Sequence, residues 1–159
     1  MQKTDKKILV SILVFTSLVL VSAFIIEHQL GHKPCKLCLY ERIPYFLSIL
    51  LIIKILFIKK YEKITLLILF LAFMSSAALA FYHFGIEQGF FNESLVCTSG
   101  DLSKTLSKEE LLQQLKLNSI SCKAVNFRIL GLSLAAINTI FSFVLSVIFI
   151  RLFMNYEKN

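Results

Sequence analysis

Apolar residues in this chain come in long unbroken runs, not at the spacing of an amphipathic soluble helix or a half-buried strand. Residues 8–26 form a run of 19 without a charge, and 43–58 a run of 16 interrupted by Lys54. A third run of 21, residues 64–84, has His83 near its end, and a fourth of 22, residues 129–150, contains Asn138. A helix needs about 20 residues to cross the hydrocarbon of a bilayer. The pattern therefore predicts an all-α integral membrane fold, a four-helix transmembrane bundle forming one domain over residues 1–159. Its spans fall near 8–26, 43–58, 64–84 and 129–150. Residues 39–42 can lengthen the short second span, and Lys54 can snorkel to the nearer interface. The first run reads as a retained span. Its core is longer than the roughly 7–15 residues of a signal peptide, and no clear small-x-small site comes before Glu27.

Two loops, near 27–42 and 85–128, lie on one side of the bundle. In the second, Ser107-Lys108-Glu109-Glu110 has capping-box spacing ahead of Leu111, Leu112 and Leu115. That predicts a short helix, either amphipathic and lying on the membrane surface or an ordinary loop helix. Small residues recur every four positions at Ala72, Ser76 and Ala80, at Gly131 and Ala135, and at Asn138, Ser142 and Ser146. Such stripes let membrane helices approach closely.

Composition sharpens this picture. With 57% hydrophobic and 17% charged residues, the chain is neither a soluble globular domain nor a disordered one. Its net charge of +7 would ordinarily suggest nucleic acid. The basic residues instead border the apolar runs, so they act as orientation signals and no nucleic-acid partner is expected. Lys3, Lys6 and Lys7, then Lys54, Lys59, Lys60 and Lys63, then Arg151 and Lys158 crowd short segments on one side. Those opposite are spread over the two longer loops. The positive-inside rule then puts both termini in the cytoplasm and the loops outside, in the periplasm if the membrane is a bacterial inner membrane. Tyr40, Tyr45, Tyr61, Tyr82 and Tyr156 stand near span ends, as an interfacial aromatic belt should in a chain without Trp.

All four cysteines fall on the outward side: Cys35 and Cys38 in a C-x-x-C, Cys97 and Cys122 in the second loop. Disulfides persist in an oxidising periplasm. A purely structural role suits Cys97 and Cys122 better than the C-x-x-C, whose small ring stabilises little and which is common in redox catalysis. A metal site offers an alternative class, membrane metal binding or transport through His28, His32, Cys35 and Cys38. Covalent haem is excluded because Leu39, not His, follows Cys38. Arg42 stands four residues past Cys38, where its guanidinium and a helix N-terminus would favour thiolate. Position alone would make it a headgroup anchor. Lys36 inside the motif adds positive charge and is expected to lower the neighbouring thiol pKa. His83, at the same membrane level as Arg42 and Cys38, could line a pocket with them.

Three motifs carry a resemblance. Pro34-Cys35-Lys36-Leu37-Cys38-Leu39-Tyr40-Glu41-Arg42 follows the first span, and Tyr82-His83-Phe84-Gly85-Ile86-Glu87 closes the third. Cys122 precedes Phe127-Arg128-Ile129-Leu130-Gly131-Leu132-Ser133 at the fourth. In this order, with all four cysteines, the chain resembles the DsbB family of disulfide-forming membrane oxidoreductases over nearly its whole length. The vitamin K epoxide reductase family also has four spans and two cysteine pairs, but its C-x-x-C comes late in the chain. The resemblance implies a membrane enzyme that reoxidises a periplasmic thioredoxin-fold, DsbA-like partner and passes electrons to quinone, ubiquinone or menaquinone. It further implies that Cys97 takes the partner's attack and that Cys122 is its pair. The Cys35–Cys38 disulfide would reoxidise that pair, with Cys38 facing the quinone, and an inter-loop bond would form during turnover. Arg42, His83, Glu41 and Glu87 would shape the quinone site, with no resident metal.

Overall fold

The computed structural model describes residues 3–29, 31, 34–58, 60–92, 97, 122–123, 128–129 and 131–158. Four long helices run through them: α1 Lys3–His28, α2 Lys36–Phe57, α3 Glu62–Glu87 and α4 Leu134–Lys158. Three hold segments long and apolar enough to cross a membrane, namely Asp5–His28, Glu62–Glu87 and Leu134–Tyr156. The short helix expected at 107–115 and the metal candidate His32 lie outside the described residues.

Two of the helix starts that differ from the apolar runs have a local reason. α2 begins at Lys36, ahead of its run, because Cys35 acts as N-cap and its sulfur accepts from the backbone N–H of Cys38. The helix continues through Pro44. Proline's missing N–H removes one bond from the ladder, which a helix packed among other membrane helices tolerates. α4 begins at Leu134, past the start of its run. Arg128–Ile129 (β1) and Leu132–Ser133 (β2) pair antiparallel in a two-stranded ribbon before it. That ribbon reverses at Gly131, whose φ of 85° only glycine adopts without strain. Ser133 then caps α4, its Oγ accepting from Ala136 N–H at 3.2 Å.

Apolar side chains face outward from the bundle as well as into its core. Val10, Val14, Leu18, Val21 and Ile25 form an exposed apolar stripe on α1, and Ile43, Phe46, Leu50, Ile53 and Phe57 do so on α2. Buried positions include Thr16, Ser48, Thr65, Ser76, Ser142 and Ser146. Lipid is as apolar as leucine, so close backbone approach and hydrogen bonds hold membrane helices together. α3 lies along α4, and α2 packs against both α1 and α3. The small-residue stripes meet where Ser76 Oγ lies 3.1 Å from Ser142 Oγ. Away from them, Phe73 stacks on Phe149 at 5.6 Å and takes the edge of Tyr45 at 5.5 Å. Tyr45 is thus an interior residue, not a member of the interfacial belt. Tyr40 and Tyr61 are exposed, as belt residues are.

A second, smaller buried cluster joins Cys35, Leu37, Ile86, Cys97 and Cys122, with Cys38, Leu79 and Tyr82 packed against it. It gathers the start of α2, the end of α3 and the segment between α3 and α4.

Candidate functional site

Cys97 and Cys122 are joined in a disulfide, their Cα atoms 5.4 Å apart. Cys35 and Cys38 are thiols with their sulfurs 2.7 Å apart, placed by the first turn of α2 for ready closure. The two pairs are neighbours. Cys35 Sγ, Cys122 Sγ and a ring nitrogen of His83 all lie within 4.8 Å of one another, and all three residues are buried. Within this group Cys35 Sγ is 3.6 Å from His83 Nε2.

Behind His83 runs a hydrogen-bonded chain into the bundle. His83 Nδ1 is 2.7 Å from Glu41 Oε1. Asn138 Nδ2 donates to Glu41 Oε2, also at 2.7 Å. Asn138 Oδ1 in turn accepts from Tyr45 Oη and from Ser142 Oγ. A buried carboxylate is costly without such partners, and here both oxygens are satisfied. Glu87 approaches from the other side, its Oε1 3.8 Å from His83 Nε2, while its buried Oε2 has no hydrogen-bond partner among the described residues.

These contacts act on the C-x-x-C. The hydrogen bond from the Cys38 thiol, and then that from His83, hold Cys35 well below the ordinary thiol range, against burial, which pushes it up. The Cys38 thiol first, and then a carboxylate-backed imidazole, therefore do what the sequence attributes to Lys36. That lysine is exposed.

Of the residues picked out from sequence, the structure brings together Cys35, Cys38, Cys97, Cys122, His83, Glu41 and Glu87. Arg42 stands apart, facing α1. Its guanidinium meets Glu27 Oε2 at 2.6 Å and lies 5.3 Å from the Phe24 ring centroid. His28 is exposed, its Nδ1 3.1 Å from the Phe24 carbonyl, so it does not join the cysteines. Asn138 is the residue that the sequence undervalued. Read there as one of a packing stripe, it holds the second oxygen of Glu41. The available signal was its side-chain amide inside an apolar run, since polar groups at membrane depth usually mark function.

A bundle of membrane-type helices with two abutting cysteine pairs at one end defines a membrane thiol–disulfide protein. Comparison with known proteins agrees. The family described as "Disulfide bond formation protein DsbB" matches residues 5–152, and the chain belongs to that family. It is also similar to an uncharacterised protein of Rickettsia prowazekii (strain Madrid E). The two are 32% identical over 161 residues, covering 99% of this chain and 93% of that one. Family membership makes this a membrane protein of disulfide bond formation.

Proposed function

We propose that the protein is a quinone-dependent thiol oxidase serving a periplasmic thioredoxin-fold, DsbA-like dithiol. In this reading all four helices span the inner membrane, both termini are cytoplasmic and the cysteine cluster faces the periplasm. The observation that carries it is the approach of Cys122 Sγ to Cys35 Sγ, within 4.8 Å in one buried cluster.

Thiol–disulfide exchange proceeds through one mixed disulfide at a time. A partner thiolate attacks Cys97, breaking the Cys97–Cys122 bond and releasing Cys122 as thiolate. Cys122 then attacks Cys35 of an oxidised Cys35–Cys38 pair, forming an inter-loop bond and releasing Cys38 as thiolate. The partner's second thiol closes the partner disulfide and leaves Cys97 as thiolate. Cys97 attacks Cys122, restoring the Cys97–Cys122 bond and leaving Cys35 reduced beside Cys38. Two electrons have then passed from the partner dithiol to the C-x-x-C. They leave for a quinone at Cys38, which takes two protons to become quinol while Cys35–Cys38 closes again. A thiol held low, as Cys35 is, makes a good leaving group in such exchange. Besides Cys38, His83, backed by Glu41 and 3.6 Å from Cys35 Sγ, is placed to carry a proton to or from Cys35. Arg42, one helical turn past Cys38, anchors the headgroup in this reading, with Glu87 flanking His83.

The test is quinone reduction by purified protein supplied with a reduced thioredoxin-fold oxidant and a soluble quinone analogue. Wild type should turn over, while Cys38→Ser and Cys97→Ser should both fall to background. Absence of quinone reduction by wild type with several partners and quinones would overturn the proposal.

A further inference from the structure

The sulfur and nitrogen atoms around His83 have the layout of a metal site once the second-loop disulfide is open. Zinc binds sulfur at about 2.3 Å and imidazole nitrogen at about 2.0–2.1 Å, so neighbouring ligands around a tetrahedral ion stand roughly 3.3–3.8 Å apart. Cys35 Sγ and His83 Nε2 are already 3.6 Å apart, and Cys122 Sγ lies within 4.8 Å of the group. His83 is also oriented as metal-bound histidines are. They characteristically donate the second ring nitrogen to a carboxylate, which fixes the ring and raises its basicity. Here Nδ1 faces Glu41 Oε1 at 2.7 Å, leaving Nε2 toward the sulfurs.

A second observation points the same way. Glu87 has a side-chain exposure of 7%; its carboxyl has Ser133 as a hydrogen-bond partner, but its Oε2 has none among the described residues. Its other oxygen is 3.8 Å from His83 Nε2, the ring nitrogen that faces Cys35.

We propose that the reduced protein binds one thiophilic divalent cation, zinc in type, through Cys35 Sγ, Cys122 Sγ and His83 Nε2. Cys38, its sulfur 2.7 Å from Cys35 Sγ, and Glu87, 3.8 Å from His83 Nε2, are the side chains available for a fourth ligand. Opening Cys97–Cys122 takes two electrons and two protons from a dithiol, which closes to its own disulfide, or two electrons from a phosphine, which becomes its oxide while water supplies the oxygen and the two protons. Cys35 is already thiolate, so binding exchanges the Cys122 thiol proton, and any proton on His83 Nε2, for the metal and releases it to solvent. The oxidised protein lacks the site because Cys122 is tied to Cys97. If the proposed electron route holds, the bound ion occupies the two sulfurs that must exchange and stalls the reduced enzyme. Binding itself does not depend on that route.

The experiment is equilibrium dialysis of the purified full chain in detergent against Zn²⁺, with Co²⁺ as spectroscopic probe. Reduced and oxidised forms are compared without partner or quinone. The reduced form should retain about one equivalent and give the thiolate charge-transfer and tetrahedral bands of cobalt, and the oxidised form none. Cys97→Ser and Cys122→Ser break the same disulfide, yet only Cys122→Ser should weaken binding, by at least about tenfold. Glu41→Gln should weaken it by about 10–100-fold, as loss of an outer carboxylate does. Equal retention by oxidised and reduced protein, or equal binding by the two cysteine variants, would overturn the proposal. Quinone-reduction assays are separate, so failure of the oxidase reading would leave this result standing.

Discussion

Cys35 serves both the helix and the chemistry: its sulfur caps the first turn of α2 and faces His83. Held low by Cys38 and His83, it should remain thiolate well below neutral pH. In reduced protein its alkylation rate should therefore stay nearly level from pH 8 to 6. An ordinary thiol slows about tenfold per unit below its pKa. Mass mapping of alkylated peptides checks this, and replacing His83 by Gln should bring back part of the slope. Glu41 is the other residue on which much depends. Glu41→Ala strands the donors of His83 and Asn138 in a buried setting, at about 1–3 kcal/mol for each unsatisfied group. Thermal unfolding in detergent should fall clearly for Glu41→Ala and less for Glu41→Gln, which keeps an acceptor.

Among the elements, the α3–α4 seam is the tightest, and small side chains make it so. Ala80 is fully buried in α3, whereas Ala78 on the same helix is exposed. Ala80→Leu should cost about 1–3 kcal/mol through overpacking. Ala78→Leu should stay within about 0.5 kcal/mol of wild type, and melting curves of the pair separate the two. The α1–α2 contact rests partly on the Arg42–Glu27 ion pair, whose side chains are 16% and 26% exposed. A double-mutant cycle should assign it about 1 kcal/mol or less, so loss of activity in Arg42 variants would point beyond helix docking. The apolar runs made the helices themselves legible. Their ends were less so, because Cys35 and Ser133 as caps and Gly131 as a turn act locally and leave no mark on a hydropathy pattern.

Over the whole molecule, the proposed topology makes a prediction about sidedness. A reporter that matures only in the periplasm should be inactive when fused after Asn159 and active when fused after Asn92, between α3 and the second-loop cysteines. The reverse result would put the cysteine cluster in a reducing compartment, where resting disulfides are rare, and the oxidase reading would fail. The same cluster closes one end of the bundle by joining the start of α2 to the segment after α3. The described structure thus ties the disulfide pair to the membrane helices by packing as well as by chain connection.

The sequence by itself determined the membrane character, the number of apolar runs, the family motifs and the residue types available for chemistry. These follow from composition and from spacing along one dimension. Tertiary structure decided which of those residues meet. Glu41 and Arg42 are adjacent in the chain, yet a helix turns neighbours about 100° apart. One therefore backs His83 on α3 while the other faces Glu27 on α1. Asn138 reaches Glu41, and Cys122 reaches Cys35, only because the α3–α4 seam and the second-loop disulfide bring distant segments together. No local pattern encodes such contacts, since they depend on how whole helices pack.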